Sequence, residues 1–212
     1  GQGSTMPENC IMQQLLQLKD VHEQDIRVAG CDLLNASLET ISAFLTRVLH
    51  RLGQEPRVQN NLWRELDAAL GDPTQRLTWK ALNDVPYLKA TGKEAYRILS
   101  IIPSLLRVTP KTLNLQGYEI PAYTPILAQT YAECLREENF TRPLEFLPER
   151  FLNPKDLSKE QLEYYESQVG DLDALHQETR ASRRLYQIFS TGARACVGRR
   201  IAESEIYVFL AK

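Results

Sequence analysis

Residues 189–203, "FSTGARACVGRRIAE", gather two glycines, three arginines and a single cysteine, Cys196, between a strand-like run and a helix-like run. Three kinds of chemistry suit a lone thiol there. It can be a small buried hydrophobe, which is what most free cysteines are. It can be a reactive thiol whose pKa neighbouring arginines lower. It can also ligate a metal or haem, since a thiolate at a helix start faces unpaired N–H groups and the favourable dipole end. Gly192 and Gly198 would let the backbone turn tightly and approach a flat cofactor. Arg194 could pair with a carboxylate. An axial thiolate needs no second protein ligand, because a porphyrin supplies four nitrogens of its own. The other cysteines, Cys10, Cys31 and Cys134, form no CxxC pair, and no histidine stands near them at zinc-finger spacing. Neither a disulfide framework nor a zinc site is expected, and a reducing compartment is the simpler reading.

The chain that must position this stretch has 212 residues, 43% hydrophobic and 25% charged, enough to bury a substantial core. Its net charge of −2 gives no bulk attraction to nucleic acid or to a membrane. No apolar run approaches the ~20 residues that span a bilayer. Residues 1–20 are polar and Gln-rich and read as a linker or trimmed end without a clear helix start. From 21 to 52, Leu34, Leu38, Ile41, Leu45, Leu49 and Leu52 recur at helical steps up to Gly53. A second helix is expected from Pro56, with Val58, Leu62, Leu66 and Leu70 on one face and a stop at Gly71. A third runs from about Asp84 to Ser100. "SLLRVTP", "LNLQGYEIP" and "YTPILAQ" then read as short strands. Another helical piece covers 129–137. Residues 153–187 read as polar and irregular; between 156 and 178 seven acids face one lysine, most simply a solvated face. A last helix follows Cys196. The first helix is strongly apolar with little before it to cover it, so the sequence reads as the back part of something larger.

"FSTGARACVGRR" resembles the haem-binding signature of the cytochrome P450 family, Phe-x-x-Gly-x-Arg-x-Cys-x-Gly; Phe189, Gly192, Arg194, Cys196 and Gly198 all match. The resemblance implies that Cys196 is the proximal thiolate ligand, that Arg194 binds a haem propionate and that Phe189 packs against the ligand loop. Ile188 and Ser190 depart from the proline and glycine often found in this loop. Two further motifs follow the family's order. "KEAYR" carries Glu94 and Arg97 three apart on one helix face, and "PERF" carries Arg150; together they resemble the family's structural Glu–Arg–Arg triad. Arg107, in "LLRVTP", stands where an arginine commonly reaches the second propionate. "AGCDLL", residues 29–34, resembles the oxygen-activation motif of the long helix. There Ala29 and Gly30 would leave room over the haem, and Asp32 would relay protons to dioxygen. Leu33 replaces the usual threonine, which puts productive oxygenation in doubt.

The resemblance implies a mainly α fold with a small β component, the C-terminal part of the cytochrome P450 fold, covering about residues 21–212. "CVGRRIAESEI" and "YLKATGKEAYR" are closest in pattern to the mitochondrial branch. Members of that branch lie on the matrix side of the inner membrane, and the front half makes any peripheral membrane contact. In that branch the face carrying Lys89 and Lys93 docks an acidic iron–sulfur ferredoxin, and Arg199 or Arg200 would extend it. The expected function is a haem–thiolate monooxygenase acting on a lipophilic, steroid-like or foreign substrate with O2 and ferredoxin electrons. The alternative is a truncated or degenerate product without turnover that binds haem weakly or docks ferredoxin as a decoy.

Overall fold

The structure, a computed structural model, describes residues 10–71, 77–182 and 187–212. Among them helices predominate, with a few short strands. Two compact units divide the chain, Gly1–Ala43 and Phe44–Lys212.

In the first unit, α1 (Ile11–Leu16) precedes the front of α2 (Glu23–Gly53). Residues 11–16 thus form a short helix where a linker is expected from sequence; residues 1–9 lie outside the described ones. Gly30 explains the packing. A Cβ there would stand 3.0 Å from the sulfur of Met12, so the missing side chain lets α1 approach α2. The 31-residue α2 has Glu23 and Asp25 in its first turn and His50 and Arg51 in its last, the charge order its dipole favours. Its apolar face is not one continuous stripe. Leu34 and Leu38 are exposed, whereas Phe44, Val48 and Leu52 are buried in the core of the second unit.

That core is built on α3 (Pro56–Leu70) and α5 (Pro86–Ile98). Both start with proline in the first turn, where its missing N–H costs nothing. Val58 and Leu62 bury as the periodicity predicts, and α3 stops at Gly71 with φ +61°. Between them lies α4 (Trp79–Asn83), which the sequence reading does not anticipate. Its start signal is Thr78, whose Oγ1 accepts the Ala81 N–H at 3.2 Å. From Tyr87 to Ile98, α5 is buried at every position except Lys89 and Lys93.

The expected strands are present. β1 (Leu105–Val108) pairs antiparallel with β4 (Pro125–Ala128), with Arg107 opposite Ile126. β2 (Leu113–Leu115) and β3 (Tyr118–Ile120) form a hairpin around Gln116 and Gly117. Both turn residues have positive φ, +50° and +90°, as the primed two-residue turn requires. α6 is shorter than expected, Thr130–Cys134.

Within 153–187, of which 183–186 lie outside the described residues, the chain departs most from its expected irregular state. It contains α7 (Lys159–Val169) and α8 (Leu172–Ala181). A reciprocal capping box between Ser158 and Gln161 starts α7, and Gly170 at φ +89° ends it. Asp171 Oδ1 accepts the Ala174 N–H at 2.9 Å to start α8. Tyr165, Val169, Leu172 and Leu175 bury at steps of three and four, so the acidic residues decorate two anchored helices. The last helix, α9 (Arg199–Leu210), follows the cysteine loop. Gly92 of α5 lets it dock: a Cβ there would stand 2.7 Å from the ring of Tyr207.

Candidate functional site

Glu94, Arg97 and Arg150 are all fully buried and in contact. Arg97 grips Glu94 through two bonds, Nε at 2.8 Å and Nη2 at 2.7 Å, while Arg150 Nε donates to the same carboxylate at 3.2 Å. The Leu147 N–H donates to Glu94 at 2.9 Å. Three charged groups removed from water need every remaining donor matched. Here backbone carbonyls match them. Arg97 donates to the carbonyls of Cys134 and Pro143 at 2.8 and 2.7 Å, and Arg150 to those of Thr141 and Arg142 at 3.1 and 3.2 Å. The triad therefore fastens the irregular chain between α6 and the 3-10 turn Pro148–Phe151 onto α5. Burial lowers the Arg150 pKa; the Glu94 carboxylate opposes that and the Arg97 charge adds to it.

A second buried network adjoins the first, and sequence reasoning missed it. Glu149, also fully buried, accepts from Arg57, from the Tyr87 hydroxyl at 2.6 Å and from Asn61 Nδ2 at 3.3 Å. Burial raises the Tyr87 pKa, and the Glu149 charge raises it further. Asn61 also donates to Gln168 at 2.8 Å and accepts from the Tyr164 hydroxyl at 2.8 Å, while Tyr165 donates to Glu65 at 2.6 Å. These bonds hold α7 on α3. The one sequence signal was the acid beside Arg150 in "PERF".

From α5 an aromatic column leads to the cysteine loop. Phe44 stacks on Tyr96 with centroids 4.5 Å apart, and Tyr96 meets Phe189 edge-on at 5.0 Å. The Arg199 guanidinium sits 5.3 Å from the Phe189 ring centre. Phe189 is thus fixed from two sides, and its carbonyl accepts the Cys196 N–H at 2.8 Å, closing the loop. Inside it the Ala195 N–H bonds Gly192 O at 3.0 Å. Gly192 has φ +70°, a value glycine adopts without strain, and Ser190 has φ +57°, which is costly for a residue with a Cβ. Ser190 is tied instead to β1, since Arg107 Nη2 donates to its Oγ at 2.7 Å.

Cys196 is exposed, as is every residue from Thr191 to Val197. The bland reading of a small buried hydrophobe therefore does not describe it. Its sulfur lies 4.0 Å from where a Cβ of Gly198 would stand, and Gly198 caps the start of α9. Arg194 is exposed in the same loop. Among the described residues no three His, Cys, Asp or Glu side chains converge, so a metal at Cys196 must bring its other ligands with it. An accessible thiol, a tight glycine turn and two exposed arginines, Arg107 and Arg194, suit a planar metal macrocycle bearing carboxylates. The arrangement fits haem.

The remaining expected residues fall elsewhere. Lys89 and Lys93 are the half-buried openings of α5. Ala29 and Gly30 are half-buried and Asp32 is exposed on α2, in the first unit. Met12 occupies the space beside Gly30 that the sequence reading leaves open. Leu33 is half-buried.

Comparison with known proteins gives a consistent result. The profile of a family described as Cytochrome P450 matches residues 6–212. Probable cytochrome P450 12b2, mitochondrial, from Drosophila melanogaster is 33% identical over 204 residues, covering 96% of this chain and 35% of its own length. Cytochrome P450 27C1 of Danio rerio is 30% identical over 205 residues, 94% of this chain and 33% of its own. Trichothecene C-4 hydroxylase of Trichoderma arundinaceum is 29% identical over 195 residues, 91% and 36%. The chain thus spans about a third of the length of these relatives.

Proposed function

The chain belongs to the cytochrome P450 family, and from that premise we propose that it forms the cysteine-bearing part of a haem–thiolate monooxygenase. Family membership brings haem with a cysteine thiolate as its prosthetic group. The observation that carries the reading is the Cys196 loop, closed by the 2.8 Å bond to Phe189 O with its thiol side accessible. Cys196 would hold the iron. Arg194 and Arg107 would neutralise the propionates, Arg107 exchanging or sharing its bond to Ser190. Gly192 and Gly198 would admit the macrocycle's edge. Haem so bound supplies redox chemistry at O2 and insertion of one oxygen atom into a C–H bond. The protein's own part would be to anchor the thiolate and pair the propionates; Asp32, in the first unit, would serve as a proton source.

The substrate class we propose is lipophilic, and the electron donor an acidic ferredoxin docking at Lys89 and Lys93 in mitochondria. Support for the compartment is the word mitochondrial in the name of the Drosophila relative. Support for hydroxylation is the name of the Trichoderma relative. A second reading, a chain without turnover, is favoured by Leu33, a side chain with no hydroxyl to steady bound dioxygen.

The test is a carbon monoxide difference spectrum of the reduced, haem-reconstituted chain. A red-shifted band lost in Cys196→Ser supports thiolate ligation. A band typical of nitrogen or neutral ligation, or one unchanged by Cys196→Ser, overturns the assignment.

A further inference from the structure

We infer that a column of aromatic rings, Phe189, Tyr96, Tyr207 and Trp79, is a one-electron relay that drains stray oxidising equivalents from the Cys196 site to the protein surface. Their source is the haem–thiolate site proposed above, so the relay rests on that reading. All four rings belong to the second unit. At the inner end, Phe189 supplies the carbonyl that accepts the Cys196 N–H at 2.8 Å, and Tyr96 meets its ring edge-on at 5.0 Å. One helical turn back on α5, the Tyr207 ring fills the space that Gly92 leaves open, 2.7 Å from where a Cβ would stand. Residues four apart share a helix face, so Tyr207 lies beside Tyr96, close enough to act on its charge. Trp79 stacks on Tyr207 with centroids 6.3 Å apart and 24° between the ring planes.

The column runs from a dry interior to water. Tyr96 and Tyr207 are buried, whereas Trp79 is 48% exposed. The Thr78 cap and the buried Leu82 fix its short helix in place. A phenol that gives up an electron must also shed its proton. The Tyr96 hydroxyl is buried with no hydrogen-bond partner among the described residues, so Tyr96 passes charge on without keeping it. At Tyr207 the Glu203 carboxylate outweighs the Arg199 cation, which favours positive charge there. Trp79 is the most readily oxidised ring of the four, and it alone meets solvent widely enough to release its indole proton and be repaired. The chemistry balances with hydrogen peroxide as oxidant, the by-product of O2 reduction without insertion, and a small soluble thiol as reductant. Two electrons drawn in turn from Trp79, with one indole proton released each time and two protons taken up at the oxidant, reduce H2O2 to two waters. Two thiols then restore the electrons and protons to Trp79 and leave as one disulfide.

The probe is hydrogen peroxide added to the haem-reconstituted full chain, with oxidised tryptophan located by peptide mass spectrometry. Trp63 is the internal control. It is more exposed than Trp79, 63% against 48%, and among the described residues no ring contact joins it to the column. In the haem-free chain treated with hydroxyl radical, exposure alone decides, and Trp63 should be oxidised at least as fast as Trp79. In the haem-loaded chain Trp79 is expected to be oxidised severalfold faster than Trp63. Tyr207→Phe keeps the ring and removes the oxidisable phenol, so it should cut the Trp79 yield severalfold and leave Trp63 unchanged. A thermal midpoint within about a degree of the parent would show that the packing survives this change. Trp79→Phe leaves Tyr207 in place and should hasten the loss of the thiolate-type carbon monoxide band under peroxide severalfold. If that band forms and Trp63 is oxidised as fast as Trp79, or if either substitution lacks its effect, the relay is overturned while the haem reading stands. If no thiolate-type band forms, the column has no source of oxidant and both fall.

Discussion

Around Glu94 the chain buries three charges and leaves none of them without partners; around Cys196 seven consecutive residues, Thr191–Val197, are exposed. One region is costly to desolvate and repays this only as a complete set of bonds. The other has little to desolvate and is held at its ends, by the Phe189 ring below and the Arg107–Ser190 bond beside it. The contrast separates two jobs. Stability resides in the buried network, and the reactivity we propose resides in a loop that contributes little to stability. Substitutions should therefore divide cleanly between the two, and each prediction below would blur the division if it failed.

The largest effect is expected at the triad. Arg150→Leu leaves Glu94 with one guanidinium instead of two and strands the carbonyls of Thr141 and Arg142. Breaking a buried ion pair from one side costs about 3–5 kcal/mol. That is a large part of the ~5–15 kcal/mol that holds a domain folded. Urea unfolding of the variant should show this loss or no cooperative transition at all. A loss below about 1 kcal/mol would mean that water reaches the triad and that the contrast is overstated.

Cys134 carries the comparison into the pH dependence of stability. Cys134 is buried beside the triad, and burial pushes its pKa up to about 11 from an ordinary 9.0, with Arg97 opposing and Glu94 adding. The folded pKa is raised, so the folded chain keeps its proton where the unfolded chain has lost it. Stability is fully present below about pH 9 and falls as pH rises toward about 11, by on the order of 2 kcal/mol. Tyr207, raised by burial to about 12 from an ordinary 10.0, acts in the same direction from about pH 10 upward. Cys134→Ala should remove the part of the alkaline slope that begins near pH 9, ahead of the buried tyrosines, read from unfolding midpoints at stepped pH. An unchanged slope would assign it to other groups.

How much of this was legible depended on where the physics was local. Helix starts at Pro56 and Pro86 and stops at Gly53 and Gly71 follow from single residues, and the sequence reading placed them within a few positions; the Gln116–Gly117 turn falls inside what it read as one strand segment. The triad members and the cysteine loop stood out because their motifs are compact. The Glu149 network did not, because Arg57, Asn61 and Tyr87 reach it from two distant helices. α7 and α8 were misread for another reason. Their composition is polar, and attention to charge hid the Ser158–Gln161 capping box and the three- and four-residue steps from Tyr165 to Leu175. Composition reports what faces water; periodicity and caps report whether a helix is there.

Ser190 tests the loop's own tolerance. Its φ of +57° costs a residue with a Cβ about 1 kcal/mol, and its Oγ returns only an exposed bond to Arg107. Ser190→Gly should stabilise the chain by up to about 1 kcal/mol in thermal unfolding. A destabilisation would show that the Arg107 bond outweighs the strain and that the loop depends on β1 more than its exposure implies.

The smallest effect on stability is expected at the residue proposed to matter most for function. Cys196 has an exposed side chain, and its backbone N–H supplies the loop-closing bond to Phe189 O. Serine keeps that N–H and nearly the same volume. Cys196→Ser should therefore shift the unfolding free energy of the haem-free chain by less than about 0.5 kcal/mol. In the haem-loaded chain the same change removes the sulfur proposed to bind iron, and the stability that haem adds by mass action should go with it. Comparing the two forms isolates the ligand. A large loss in the haem-free form would mean that the thiol packs as a structural hydrophobe after all. Equal stability of parent and variant in the haem-loaded form would mean that iron is held elsewhere.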